Sequence, residues 1–251
     1  MQKEYINEAV WGKMFNFFQD RKDIYIGSEA KLRGFVTAFC WVLKSGADWR
    51  SLPSTYGKWN SVFKRFNEWS KKNIWHDFFQ FCIQDPDLEW VMIDSTIVRA
   101  HQCASGYKKG QAEEQGLGRS KGGLSSKIHI ITDALGNPLK FIVTPGQRSD
   151  ITQAQALADG IQSASVLADK GYDCDAFRAL LSQQECIPVI PFRINRKGEH
   201  IYDKELYKER NIVESFISKI KQFRRIFSRY DKSLRNYMSL LLFAGALVWL
   251  R

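Results

Sequence analysis

Five short apolar runs, set apart by turns and by two helix-length segments, constrain this chain more than any other feature. They lie at residues 90–93, 127–132, 139–144, 165–168 and 187–192. The run KIHIIT at 127–132 alternates as a strand does, and so does LKFIVT at 139–144. Between them Asp133-Ala134-Leu135-Gly136-Asn137-Pro138 supplies turn residues, so the pair predicts a hairpin. Residues 150–162 and 175–184 carry helical spacing. The resulting order is β-β-β-α-β-α-β, closed by a long C-terminal helix, and periodicity alone takes this to a mixed α/β domain.

The segment before residue 87 reads differently. Residues 29–44 place Leu32, Phe35, Val36, Phe39 and Val42 at helical spacing after Ser28, a suitable N-cap. A second helix is expected over 60–72, with Val62, Phe63, Phe66 and Trp69 on its apolar side and Lys58, Lys64, Arg65, Lys71 and Lys72 making it basic. Two helices joined by a Gly- and Pro-containing turn suggest a small all-α, helix-turn-helix-like DNA reader; the same pattern also describes a plain packing unit. The expected division is residues 1–86 and 87–251.

The formal net charge of +10 over 251 residues favours a polyanionic partner, nucleic acid first. The five cysteines form no CxxC pair, which argues against a disulfide framework or zinc site and fits a reducing cytosol. The apolar run at 240–250 is shorter than the ~20 residues a membrane span requires, so it is read as a buried helix. No Walker A loop and no nucleophile elbow is present.

Two acids follow apolar runs directly: Asp94 after Val91-Met92-Ile93, and Asp169 after Ser165-Val166-Leu167-Ala168. An acid at the end of a buried strand is costly unless paired or bound to metal; a turn or capping role is the alternative for each. Asp173, just beyond Asp169, is read as a turn or cap residue. Further along, Tyr207, Arg210, Glu214 and Lys221 fall within roughly 60° of one another at about 100° per residue, so they share one helix face. The other face carries Ile212, Phe216, Ile220, Phe223 and Phe227. Taken alone, this describes equally well a phosphate- and metal-binding face or a solvated helix with i,i+4 ion pairs.

These strings together carry a resemblance. MIDSTIVRAHQ around Asp94, LADKGYD around Asp169, the Y-(2)-R-(3)-E-(6)-K spacing around Glu214, GRSKGGLSSKIH at 118–129 and WRSLPSTYGKWNSVFKRFNEW at 49–69 resemble the IS5-type DDE transposases of bacterial insertion sequences. The likeness runs from about Ile26 to the C-terminus. It implies a ribonuclease-H-like α/β core, a mixed sheet flanked by helices, behind the helical N-terminal domain. It implies that Asp94, Asp169 and Glu214 are catalytic and bind two Mg²⁺ ions, with Mn²⁺ as a substitute. Hard carboxylate oxygens suit those ions. It also implies contact with DNA by Tyr207, Arg210, Lys221, Arg119, Lys121, Lys127, His101, Lys170, Lys58, Lys64 and Arg65. Arg99 is a further candidate. The expected partners are double-stranded DNA, at element ends and target, and a second copy of the chain in a synaptic assembly, in the cytoplasm at the nucleoid. Two rivals stay open: a catalytically inactive or repurposed DNA-binding protein, and a nuclease of the same fold that cuts without joining.

Overall fold

The computed structural model describes residues 6–107, 111–194 and 201–251. In chain order its elements are α1 (Glu8–Gln19), α2 (Glu29–Ser45), α3 (Trp59–Lys71), α4 (Ile74–Cys82), β1 (Trp90–Ala100), α5 (Gln111–Glu114), β2 (Gly118–Ser120), β3 (Gly123–Thr132), β4 (Pro138–Pro145), α6 (Ala154–Ala158), β5 (Ser165–Ala168), α7 (Asp175–Gln183), β6 (Ile187–Val189), α8 (Lys204–Tyr207), α9 (Asn211–Lys221), α10 (Arg224–Phe227), β7 (Ser228–Arg229) and α11 (Leu234–Trp249). They form two compact units, one of residues 1–84, 101–104 and 220–251, the other of 85–100 and 105–219.

The first unit is helical with an aromatic interior. Trp75 is fully buried and packs against Phe39 at 4.7 Å and Phe243 at 5.3 Å between ring centroids. Phe243 lies on α11, buried along most of its length as the apolar run requires. Among the described residues no helix is long and apolar enough to cross a membrane. The sequence boundary near residue 86 does not foresee that residues 220–251 cluster with the N-terminal helices, because hydrophobicity marks a buried helix without naming its neighbours. Charge misleads in the same way. In the basic stretch after residue 219, Arg225 and Arg229 are buried. Arg225 pairs with Asp231 at 2.9 Å and donates to the Ala47 carbonyl at 2.8 Å. Arg229 donates to the carbonyls of Asp231 and Lys232 and lies over the Tyr237 ring.

The second unit is built on a sheet ordered β4-β3-β1-β5-β6. β1, β3 and β4 are antiparallel neighbours, while β5 and β6 run parallel to β1. Three antiparallel strands followed by two parallel ones, with helices on both faces, is the ribonuclease-H-like arrangement. Strand alternation sorts the core. Val91, Ile93, Val166 and Ala168 face α6 and α7 through Leu157 and Leu181, whereas Met92, Leu167 and Val189 face Val213, Leu206 and Tyr207 of α8 and α9. The predicted hairpin turn is real. Asp133 accepts from the amides of Leu135 and Asn137, and Gly136 takes φ of +82°, where a Cβ would also strike Ile212.

Three local expectations change. β1 continues to Ala100 because Ser95–Arg99 pair with β3, so Asp94 sits within the strand. The strand expected over 127–132 begins earlier, at Gly123, and pairs with β2 as a hairpin. The segment 150–162 is a 3-10 turn, Asp150–Gln153, leading into the short α6.

Candidate active site

The parallel register between β1 and β5 ends at Ile93 opposite Ala168, and the residue that follows each of these in the chain is an acid. Asp94 and Asp169 therefore leave the ladder side by side. In the sequence the two strands are far apart, and only parallel pairing brings their acids level. Asp169 then caps the 3-10 turn Lys170–Tyr172, its carboxylate accepting from the Gly171 amide at 2.8 Å. Asp94 accepts from the Ser95 amide at 2.7 Å and from Arg210 Nη1 at 3.0 Å.

The third acid comes from the other face. The chain from Tyr207 to Glu214 is not one regular helix: α8 ends at Tyr207, a 3-10 turn covers Lys208–Arg210, and α9 begins at Asn211. Across this join Arg210 still reaches Glu214 and forms an i,i+4 ion pair with it. One guanidinium thus links Asp94 to Glu214. The side chains of Asp94 and Arg210 are 18% and 19% exposed, while Glu214 is 55% exposed and turned to solvent. Tyr207 lies beside this group, with the Arg210 guanidinium 6.0 Å from its ring centroid. Val213, Phe216, Ile220 and Phe223 are buried, as an amphipathic helix requires, but Phe227 falls in α10 and is 57% exposed.

Burial dominates the electrostatics of the site. Burial raises the Asp94 pKa above the usual carboxylate range, and neighbouring Asp169 adds to this; the Ser95 amide and Arg210 offset it only in part. Burial works to lower the Arg210 pKa, but Asp94, Tyr207, Glu214 and Asp169 outweigh it and raise the value overall. Tyr207 is also raised, chiefly by burial. Such a site favours an added cation. Among the described residues, three acids, histidines or cysteines do not already stand close enough to form a metal cluster.

Sequence reading missed a fourth acid. Asp150 accepts from Ser95 Oγ at 2.8 Å and from Lys127 Nζ at 2.8 Å, so it sits directly behind the residue that follows Asp94. Tyr172 is buried nearby. Burial raises the Tyr172 pKa, and Asp150, Asp94 and Asp169 push it further. Asp150 follows Arg148-Ser149 in an exposed-looking turn, and no apolar run marks it as a site residue.

His129 completes the group behind β1. It is fully buried, its Nε2 lies 2.8 Å from Thr144 Oγ1, and its Nδ1 has no hydrogen-bond partner. Burial lowers its pKa to about 4. The unfolded chain takes up this proton near pH 6.5, whereas the native chain resists it down to about pH 4. Stability from His129 is therefore full above pH 6.5 and falls as the pH drops through that window, by roughly 3 kcal/mol in all. Urea unfolding of wild type and His129→Gln between pH 4 and 7 checks this: the variant should show a flatter dependence.

The remaining predicted DNA contacts separate into exposed and engaged groups. Lys58, Lys64, Arg119, Lys121 and Lys170 are exposed, and Arg99 is exposed on β1. Lys127 is held by Asp150 and the Arg148 carbonyl. Arg65 donates to the carbonyls of Tyr25 and Ile26 and packs over the rings of Phe35 and Trp69. His101 lies 3.1 Å from Cys103 Sγ through Nδ1 and packs against Tyr230. Lys221 ends α9, at a position grouped with the first unit. Asp173 is buried, paired with Arg178 at 2.9 Å and accepting from the Arg193 amide.

Residues 86–249, which hold all three acids, match the family profile of the transposase DDE domain. The chain belongs to the DDE transposase family. Residues 6–79 of this transposase match a second profile, described as a putative transposase of the IS4/5 family. It is 37% identical over 130 residues to a putative transposase for insertion sequence element IS6501 from Brucella ovis, covering 51% of this chain and 100% of that one. A putative transposase for element IS402 from Burkholderia cepacia is 34% identical, over 43% of this chain and 54% of its own length. Solved structures with similar chains include a piggyBac transposase synaptic complex with hairpin DNA. It is 12% identical with a TM-score of 0.43, over 77% of this chain and half of that one. A pre-cleavage Mos1 transpososome is 11% identical with a TM-score of 0.29, over 86% and 85% of the two chains. Strand order, not these overlaps, identifies the fold.

Proposed function

We propose that this transposase binds the terminal inverted repeats of its own insertion sequence, cuts at the element end and joins that end to target DNA. The observation that carries the reading is the pair Asp94 and Asp169, level on adjacent parallel strands, with Arg210 linking Asp94 to Glu214. In the first step a water oxygen attacks the phosphorus at the element end. The P–O3′ bond breaks, and the 3′ oxygen leaves as a hydroxyl. In the second step that hydroxyl attacks a target phosphodiester, displacing the target's own 3′ oxygen. No covalent enzyme intermediate is needed.

The donor set fits divalent ions: three carboxylates, one of them, Asp94, half-buried with its pKa raised by that burial. Asp94, Asp169 and Glu214 would hold Mg²⁺, with Mn²⁺ as a substitute. Two such ions would activate the attacking oxygen and stabilise the leaving one. Arg210 stands between two of the acids and can turn to the phosphate as a cation takes its place. Asp150, through Ser95, holds the backbone beside Asp94. Lys170, Tyr207, Lys221, Arg119 and Lys121 extend the contact to the DNA strand, and the helical domain, with Lys58 and Lys64, reads the repeat. We infer an assembly of at least two copies, since two element ends must be brought together, acting in the cytoplasm on the nucleoid.

One observation favours an alternative, a DNA-binding protein that has lost catalysis: Arg210 already pairs with both Asp94 and Glu214. The two are separated by a short duplex carrying the element end, taken from DNA flanking the gene, incubated with protein and Mg²⁺ or Mn²⁺. A metal-dependent nick at the end supports the transposase reading. Binding with no nick in either metal supports the alternative.

A further inference from the structure

The first unit contains an aromatic cleft that the proposed chemistry does not use. It has a volume of about 700 Å³ and is lined by Asp48, Trp49, Arg50, Trp59, Phe63 and Cys103, with Ser51 at its edge. That size falls in the range of small-ligand sites. Trp49 and Phe63 meet at 5.3 Å between ring centroids, and the Arg50 guanidinium stands 5.8 Å from the Trp59 ring. Trp49 is 8% exposed and forms part of the cleft wall. Trp59 is also the first residue of α3, whose N-terminus has no side-chain cap because Lys58 occupies the capping position. The Ser61 and Val62 amides donate to the Lys58 carbonyl, which leaves the Trp59 and Asn60 amides and the positive end of the helix dipole for an anion at the cleft's rim.

We propose that this cleft binds one unstacked nucleotide of DNA. The base lies against Trp59 and Phe63, and its phosphate meets the α3 N-terminus, Arg50 and Lys58. Asp48, whose carboxylate oxygens accept from the Ser51 amide and hydroxyl, repels phosphate on its own side and so orients the strand. An apolar peptide would fill the aromatic wall but leave Arg50, Lys58 and the open helix end without a partner. A nucleotide meets both halves. The proposal rests on the reading of this protein as DNA-binding and adds a subsite to it.

The test uses the full chain and two duplexes of one sequence, one fully paired and one carrying a single extrahelical 2-aminopurine. Wild type should bind the bulged duplex about tenfold more tightly, as expected for one base stacked on an aromatic side chain, and the 2-aminopurine fluorescence should be quenched. Trp59→Ala should remove the preference and the quenching while binding the paired duplex as wild type does. Arg50→Gln, a change at an exposed side chain, should reduce the preference without a change in melting temperature. Equal affinity of wild type for the two duplexes overturns the proposal, as does a preference that survives Trp59→Ala. Binding to neither duplex overturns the DNA-binding reading itself, and the subsite with it.

Discussion

Asp94→Asn should lower metal-dependent nicking of an element-end duplex by about 10³-fold or more, because a metal ligand contributes several kcal/mol of transition-state stabilisation. The substitution keeps the side chain's size and can still accept from the Ser95 amide, so the fold should survive. It removes the buried charge that draws a cation to the site. DNA binding should be unchanged or tighter, since one negative charge near the phosphate is gone. A second readout needs no catalysis. Mg²⁺ should raise the melting temperature of wild type, as any ligand of the native state does, and should raise that of Asp94→Asn much less. Nicking at the wild-type rate in the variant would remove Asp94 from the site. Asp150→Asn should have a smaller effect, about 10- to 100-fold, as expected of a group that acts through a neighbour rather than on the reacting atoms.

Asp231→Ala should cost about 3–5 kcal/mol of stability, because it leaves the buried Arg225 guanidinium without its carboxylate. Arg225 and Asp231 are 4% and 6% exposed and form two hydrogen bonds, at 2.9 and 3.1 Å. For a chain of this size the melting temperature should fall by on the order of 10 °C. The double replacement Arg225→Met, Asp231→Leu should recover most of that loss, since neither charge is then left buried and unpaired. Thermal unfolding of the single and double variants measures both effects. A single variant that melts with wild type would show that water reaches Arg225 and that the pair is not holding the first unit together.

The strands of the second unit were legible because their signal is local. Alternation at 127–132 and 139–144, with an Asp-and-glycine turn between, has few other solutions. Pairing was less legible. Nothing in the string MIDST says that Asp94 lies inside a strand, because the pairing of residues 95–99 depends on β3, which follows a long intervening segment. The three acids could be picked out because two follow apolar runs and the third lies in a spaced helical motif. Even there, the join between α8 and α9 interrupts what the spacing reads as one helix, though Arg210 and Glu214 still meet. Asp150 was invisible: its partners, Ser95 and Lys127, come from two strands distant in the chain. Charge was the least reliable guide. Arg65 reads as a surface cation, yet it donates to backbone carbonyls, as Arg225 and Arg229 do, and the sequence does not show where a carbonyl will lack a partner.

The most direct test of the central claim is strand transfer from a pre-cut end. A labelled duplex ending in the exposed 3′-OH of the element, incubated with supercoiled plasmid, protein and Mg²⁺ or Mn²⁺, bypasses the first cleavage and reports joining alone. The account predicts a joined product with wild type that requires metal and is lost in Asp94→Asn, Asp169→Asn and Glu214→Gln, while each variant still binds the duplex. Joining at the wild-type rate by any one of the three variants, or tight binding by wild type with no joining in either metal, would contradict it.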